Sequence, residues 1–247
     1  MKVSIITSCF NSEKTIEDTI QSVVSQTYPN IEYIIIDGKS TDKTLEKVNN
    51  YRDKITKVVS EEDKGIYDAL NKGINIATGD IIGFLHSDDI FAHSNVIENI
   101  VEMFQKTETS AVYADLHYVS RENTKKIIRN WKSGDYKYGM FLNGWMPPHP
   151  TVYIKKDIYN QFGIFNLDFK TAADYELMLR FFHKHKVKLT YLNEVTIKMR
   201  VGGESNATIK NRINANKEDR KAWKINNIKP RFYTLWFKPL RKMYQYL

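Results

Sequence analysis

The chain has 247 residues, 42% of them hydrophobic, a formal charge of +8 and a single cysteine, Cys9. That suits one large α/β domain or two small ones with a sizeable core; it excludes an internal disulfide, and no stretch approaches the roughly 18 apolar residues of a membrane span. Residues 210–247 hold 11 Lys/Arg against 2 Asp/Glu, so the body is near neutral and the tail basic, which argues against a nucleic-acid partner and gives the tail an anionic surface as its expected contact.

In chain order, residues 3–7 read as a short apolar strand, entered directly from Met1 without the layout of a signal peptide; a cytoplasmic location is the expectation. Ile16, Ile20, Val23 and Val24 fall at helical spacing, with Asn11 or Ser12 as the expected cap. Residues 32–36 are a second strand, 37–40 a turn, and Ser40 or Thr41 would cap a helix running to about Tyr51. Residues 55–59 form a weaker third strand. Ile66, Ala69, Leu70, Gly73, Ile74 and Ala77 make one helical stripe, and 81–85 is a continuous apolar strand of the kind buried on both faces. A helix follows near 95–105. Strand–helix alternation predicts an open parallel sheet with ligands at the carboxyl ends of its strands, which points to the loops 8–12, 37–42 and 86–90.

After about residue 110 the pattern becomes mixed. Residues 111–119 and 126–131 read as a hairpin, 144–150 as a rigid Pro-containing loop, 151–154 as a strand and 174–185 as a helix. Residues 187–192 and 195–200 read as two further strands, broken at Gly202-Gly203, and a polar helix spans 207–226. No linker is long enough to split the chain.

Four acids stand where chemistry is expected. Asp88-Asp89 ends a buried strand, and two adjacent carboxylates either share a hard cation such as Mn2+ or Mg2+ or serve as a helix cap. Asp37 follows the apolar run 33–36, where it can accept from a base or ribose, or simply make a turn before Gly38. Asp174 opens a helix, as a general base or as an acid favoured by the dipole. His149 sits in a Pro-flanked loop and can bind substrate or pack. Cys9 has no histidine within a few residues and reads as a packed side chain.

Five blocks in order carry a resemblance: SIITSCFN at 4–11, IDGKSTDKT at 36–44, DKGIYDALNKG at 63–73, GDIIGFLHSDD at 79–89 and ADYELMLR at 173–180. Together they resemble family 2 glycosyltransferases over residues 1–205. The resemblance implies the GT-A fold: an open, mixed, mostly parallel α/β sheet flanked by helices, with a nucleotide-sugar-binding half (1–110) and an acceptor half (111–205), followed by a basic helical tail (206–247). It implies that Ser8, Phe10 and Asp37 hold the uracil and ribose of a UDP-sugar, with Asp63 and Lys64 near base and phosphates. Asp88 would contact ribose or donor sugar, Asp89 would bind the divalent metal, and Asp174 would be the base of an inverting transfer. The acceptor, a saccharide or lipid-linked saccharide, would meet the loop near Trp145 and His149. Two positions depart from the family: Gly38-Lys39 stands for Asp-Gly or Gly-Gly, and His86 for Asn.

The tail interleaves Lys/Arg with Trp223, Phe232, Tyr233, Trp236, Phe237, Tyr244 and Tyr246, which fits peripheral attachment at the inner face of the cell membrane, packing on the domain, or a contact with a second subunit. The competing functions are a nucleotidyltransferase, which would need a Gly/Lys/Arg-rich phosphate loop that 8–12 lacks, and a non-catalytic nucleotide- or sugar-binding module.

Overall fold

The computed structural model describes residues 1–202 and 209–234, with 209–215 described by their backbone alone. Among these residues one sheet contains β1 Val3–Cys9, β2 Ile31–Asp37, β3 Lys57–Ser60, β4 Ile81–Phe84, β5 Ile90–Phe91, β6 Ala111–Val119, β7 Ile127–Trp131, β8 Tyr153–Lys155 and β9 Leu189–Arg200. The order is β3-β2-β1-β4-β8-β6-β9-β5, with β7 paired to β6. Strands β3, β2, β1 and β4 are parallel. Strand β8 runs against both its neighbours, and β6 and β9 are parallel again. The helices are α1 Ile16–Val24, α2 Thr44–Asn49, α3 Ile66–Ile76, α4 Val96–Lys106, α5 Lys156–Phe162, α6 Ala173–Met178 and α7 Ile209–Ile225.

The continuous apolar runs are explained by burial on both faces. Side chains alternate across a strand, so Ile5, Tyr33, Ile35 and Ile81 join α1 and α4 on one face. Ile6, Ile34, Ile36, Ile82 and Phe84 join α3 and α6 on the other. Each fully buried isoleucine contributes about 1.5–3 kcal/mol. Helix α3 lies so close to β1 that a Cβ on Gly73 would sit 2.4 Å from Ile6 Cγ2, so the glycine sets the helix–sheet spacing.

The structure differs from the sequence expectations at several elements. The first turn of α1 has no side-chain cap; Ser12 is spent on Ser87 and Asn11 on Thr41. Asp42, rather than Ser40 or Thr41, accepts from the Thr44 backbone N–H at 2.9 Å at the start of α2. The two late strands are one continuous β9 whose register shifts near Asp115; the irregularity accounts for the apparent break at 193–194. Strand β5 and α5 lacked a periodic signal, β5 because it is two residues long. The helix carrying Asp174 changes to π-helical geometry over Leu179–Lys184. The Gly203 end of the expected break, and Trp236, Phe237, Tyr244 and Tyr246 of the tail, lie outside the described residues. No helix among the described residues is long and apolar enough to cross a membrane.

Glu32, 2% exposed, ties three segments together. It accepts from Ser4 Oγ at 2.6 Å, from Thr78 N and Oγ1 at 2.6 Å each and from Lys2 Nζ at 3.2 Å. Burial pushes its carboxyl up, but these bonds outweigh burial and bring it from 4.5 to about 2. Its contribution is therefore complete above about pH 4.5 and is lost as pH falls toward 2. Glu32→Gln is expected to cost on the order of 2 kcal/mol at neutral pH and to flatten the acid limb of stability between those values, as read by urea denaturation across pH.

Candidate active site

Parallel pairing of β1 with β2 and β4 in register brings their carboxyl ends to one edge. The three loops that follow are joined there: Gly38 N donates to Cys9 O at 2.9 Å, Leu85 N to Ile6 O at 3.1 Å, and the Ser12 and Ser87 hydroxyls pair at 2.8 Å. The polypeptide turns sharply, with Asn11 at φ 47° and Lys39 at φ 63°. Lys39 thus occupies a left-handed position without being glycine, at a cost of about 1 kcal/mol.

Phe10 is 63% exposed at the rim of this edge. Gly38 lies against it and against Asp63: a Cβ on Gly38 would meet Asp63 Oδ2 at 2.5 Å and Phe10 Cδ2 at 3.5 Å. Phe10, Gly38 and Asp63 therefore form one surface. Lys64, next in the chain, is exposed. Ser8 is 7% exposed and its hydroxyl has no partner. Asp37 is fully enclosed. Its carboxylate accepts from the Ser40 N–H and hydroxyl and from Ser60 Oγ at 2.6 Å, with Cys9 Sγ at 3.7 Å. Asp37 thereby fixes the two serines at this edge. Burial and the neighbouring Asp37 charge push the Cys9 thiol far up, so it is packed and unreactive, as the sequence suggests.

Helix capping does not explain Asp88-Asp89. The next helix begins only at Val96, after β5. Instead the turn is clamped: Asp89 N donates to His86 O at 2.9 Å, Thr19 Oγ1 to Asp89 O at 2.8 Å and Arg200 Nη1 to Asp88 O at 2.7 Å. Asp89 is 0% exposed with both carboxylate oxygens unpartnered. Burial and the Asp88 charge push it well above the ordinary range; the nearby Arg200 opposes this without a full hydrogen bond to the carboxylate. Asp88 is partly exposed. An orphaned buried carboxylate beside a second one fits a cation. No group of three or more His/Cys/Asp/Glu able to hold a metal occurs among the described residues, so the remaining ligands would come from solvent or a bound phosphate. The resemblance implies Asp89 as the metal ligand; Asp88 is the more exposed of the two.

Asp174 sits in the first turn of α6 and accepts from Tyr67 OH at 3.1 Å. Burial and the Asp174 charge push the Tyr67 phenol well up, so it stays a donor. His86 feels both Asp88 and Asp174, and its ring lies 5.9 Å from that of His149. His149 packs against Phe84 at 5.6 Å and Phe165 at 5.7 Å. The expected acceptor residue Trp145 is 5% exposed, its indole N–H donates to Ser133 O at 3.1 Å, and it stacks on Tyr136 at 5.0 Å, so it supports the loop from within the core.

Sequence reading missed three residues. Tyr67 lies inside the DKGIYDALNKG block but carries no local signal of contact with a residue 107 positions away. Arg200, 4% exposed, bonds the Asp88 carbonyl and pairs with Asp18. Glu218 of α7 accepts from Lys170 N, Thr171 N and Ala172 N at 2.8–3.0 Å, fixing the approach to Asp174.

The glycosyl transferase family 2 model matches residues 4–165, and the chain belongs to that family. It is therefore a glycosyltransferase of GT-A fold, which sets aside the nucleotidyltransferase and the simple binding module. An uncharacterized glycosyltransferase of Mycobacterium tuberculosis (strain CDC 1551 / Oshkosh) is 32% identical over 180 residues, 72% of this chain and 68% of the relative. The structure of S. aureus TarS 1–349 in complex with UDP-GlcNAc matches with a TM-score of 0.70 at 19% identity, over 92% of this chain and 65% of that one. The mannosyltransferase PcManGT from Pyrobaculum calidifontis, in complex with GDP-Man and Mn2+, matches with a TM-score of 0.66 at 18% identity, over 96% of this chain and 72% of that one.

Burial lowers His149 from 6.5 to about 4, with the Asp174 charge opposing and His86 assisting. The unfolded chain binds the proton more readily, so stability falls as pH drops from about 6.5 to about 4. NMR of the imidazole is expected to show no titration of His149 above pH 6, and His149→Gln to remove that part of the stability loss.

Proposed function

We propose that this chain transfers a glycosyl group from a UDP-sugar to a hydroxyl of a saccharide acceptor, lipid-linked and presented at an anionic membrane surface, with inversion at the anomeric carbon. One observation carries the reading: contacts run without a gap from Tyr67, which bonds Asp174, through Phe165 and His149 to His86 at the start of the acidic turn, so a candidate diphosphate-binding pair and a candidate base lie in one neighbourhood.

In this reading Phe10 lies against the base, with Ser8 and the serines held by Asp37 meeting uracil and ribose, and Asp63 at the same edge. Lys64 is free to reach the phosphates, and Asp88 meets ribose or donor sugar. A divalent cation, Mn2+ or Mg2+, held by the Asp88-Asp89 pair would neutralise charge on the departing diphosphate. Asp174, oriented by Tyr67, takes the proton of the acceptor hydroxyl. The acceptor oxygen then forms its bond to the anomeric carbon on the face opposite the breaking bond to the diphosphate. His149, neutral and held by Phe84 and Phe165, borders the acceptor side.

Titration calorimetry of UDP with and without Mn2+ tests the donor site. Wild type is expected to bind UDP more tightly with metal, and Asp88→Asn and Asp89→Asn to abolish that increment. Because Asp89 is a buried, unpartnered acid, Asp89→Asn should also raise the melting temperature of the metal-free protein. No UDP binding under any metal condition would discard UDP as donor nucleotide, and a GDP, dTDP and CMP panel would follow. Asp174→Asn is expected to keep UDP binding and lose about 10^2–10^4-fold in turnover; retained turnover would remove it as the base.

A further inference from the structure

Three segments far apart in sequence converge on a surface away from the acidic turn. Tyr138 stacks on His183 with ring centroids 5.1 Å apart, and Lys186 Nζ lies 5.2 Å over the Tyr138 ring. Tyr136 OH donates to Phe182 O at 3.2 Å. The chain leaving α7 joins them: Trp223 meets His183 at 5.7 Å, Thr234 Oγ1 donates to Leu142 O at 2.6 Å and Arg231 reaches Asn143 at 3.3 Å. Segments 136–143, 182–189 and 223–234 contain seven Lys/Arg and no Asp/Glu. The seven are Lys137, Lys184, Lys186, Lys188, Lys224, Lys229 and Arg231, and no ion pair is formed by any of them among the described residues. The nearest acid along the chain, Asp135, acts on Tyr113 and Tyr191 instead.

Charge is joined here by exposed aromatic surface. Phe232 is 92% exposed and Tyr138 62%. Between the first two segments lies a groove of about 310 Å3 walled by Tyr136, Tyr138 and Phe182, with Lys186 and Lys188 beside them, large enough to seat one polar headgroup. Lysines around aromatic rings with one polar edge are the chemistry of a membrane interface: the rings settle at headgroup level while the ammonium groups meet lipid phosphates. A nucleic-acid surface would favour flat stacking platforms along a groove; here the most exposed ring, Phe232, stands edge-on to Tyr233 rather than in a flat platform. That chain continues into residues 235–247, which add Lys238, Arg241 and Lys242 and no acid.

We infer that this face, built from the 136–143 and 182–189 segments of the catalytic body together with 223–234, docks the protein on an anionic phospholipid bilayer. The inference rests on the membrane part of the reading above and not on its transfer chemistry. It differs in placing half of the contact on the body, which charge counting along the sequence left near neutral. It also gives the contact a geometric consequence. The helical run from Ala173 through Lys184 carries Asp174 at one end and the docking face at the other, at most about 15 Å away, the α-helical rise over that length, since its second half is π-helical and rises less. The bilayer and the candidate base are thereby held at a fixed spacing by one rigid element.

Flotation of the full-length protein with phosphatidylglycerol/phosphatidylcholine vesicles and with pure phosphatidylcholine vesicles tests this. Wild type is expected to co-float only with the anionic vesicles and to be released by salt. The triple variant K184Q/K186Q/K188Q should partition about a hundredfold more weakly, with UDP binding as its check on folding. K137Q/Y138S, on the neighbouring segment, provides a second variant and should weaken partitioning in the same direction. Wild-type partitioning in both variants would overturn the inference and leave attachment to the tail alone. Absence of co-flotation by wild type would overturn it together with the membrane part of the functional reading, whether or not glycosyl transfer is found. A concentration-dependent dimer lost in the triple variant, without flotation of wild type, would assign the face to a second copy instead.

Discussion

Strand β1 is held between two parallel neighbours, in register with β2 over seven residues and with β4 over four, and every residue from Val3 to Cys9 is buried. Parallel strands in register must end on the same edge, so three loops distant in sequence are forced together. Shifting β1 by one residue would exchange its two buried faces, moving Ile6 out of the α3 side and Ile5 out of the α1 side. The acidic turn, the Phe10 rim and the loop ordered by Asp37 all inherit their positions from that pairing.

The second half of the fold supplies what the edge lacks. Helix α6 places Asp174 opposite the turn, and α7 fixes α6 from behind: Glu218 gathers the backbone N–H groups of 170–172, Trp223 Nε1 donates to Tyr175 OH at 2.9 Å, and Asn226 donates to Glu176 at 2.9 Å. Arg200, at the end of β9, ties the acidic turn to α1. Buried polar groups here are mostly satisfied by protein partners; Ser8 Oγ, His149 Nε2 and both oxygens of Asp89 are left open. Such orphans are costly in a finished interior; others, such as the Tyr153 and Tyr159 hydroxyls and Thr196 Oγ1, lie elsewhere in the core.

Charge and chemistry occupy separate regions. Acids collect at the carboxyl edge of the sheet, where two of them, Asp37 and Asp89, lie wholly out of water. Lysines collect around Tyr138 and His183, where they face solvent. The first arrangement uses low dielectric to strengthen a local interaction; the second uses exposed charge that acts on an extended surface and is screened by salt. The tail takes part in both, since Trp223 is buried against α6 while Phe232 is exposed.

What the sequence determined by itself was the alternation of strands and helices in the first 110 residues, the edge at which their loops meet, and the family, because strand burial and loop chemistry are written in contiguous residues. Runs such as 33–36 and 81–85 need no distant partner to be recognised. Only the tertiary structure decided which side chains reach the site. Tyr67 meets Asp174, and Arg200 meets Asp88, across more than 100 residues; Trp145 is buried beneath its loop; Asp37 bonds Ser40 and Ser60. Neither does local sequence reveal that Lys137 and Lys186 lie on one face with Arg231. Local propensity is a short-range property, whereas burial, hydrogen-bond partners and charge clusters arise from contacts that exist only after the sheet has closed its two cores.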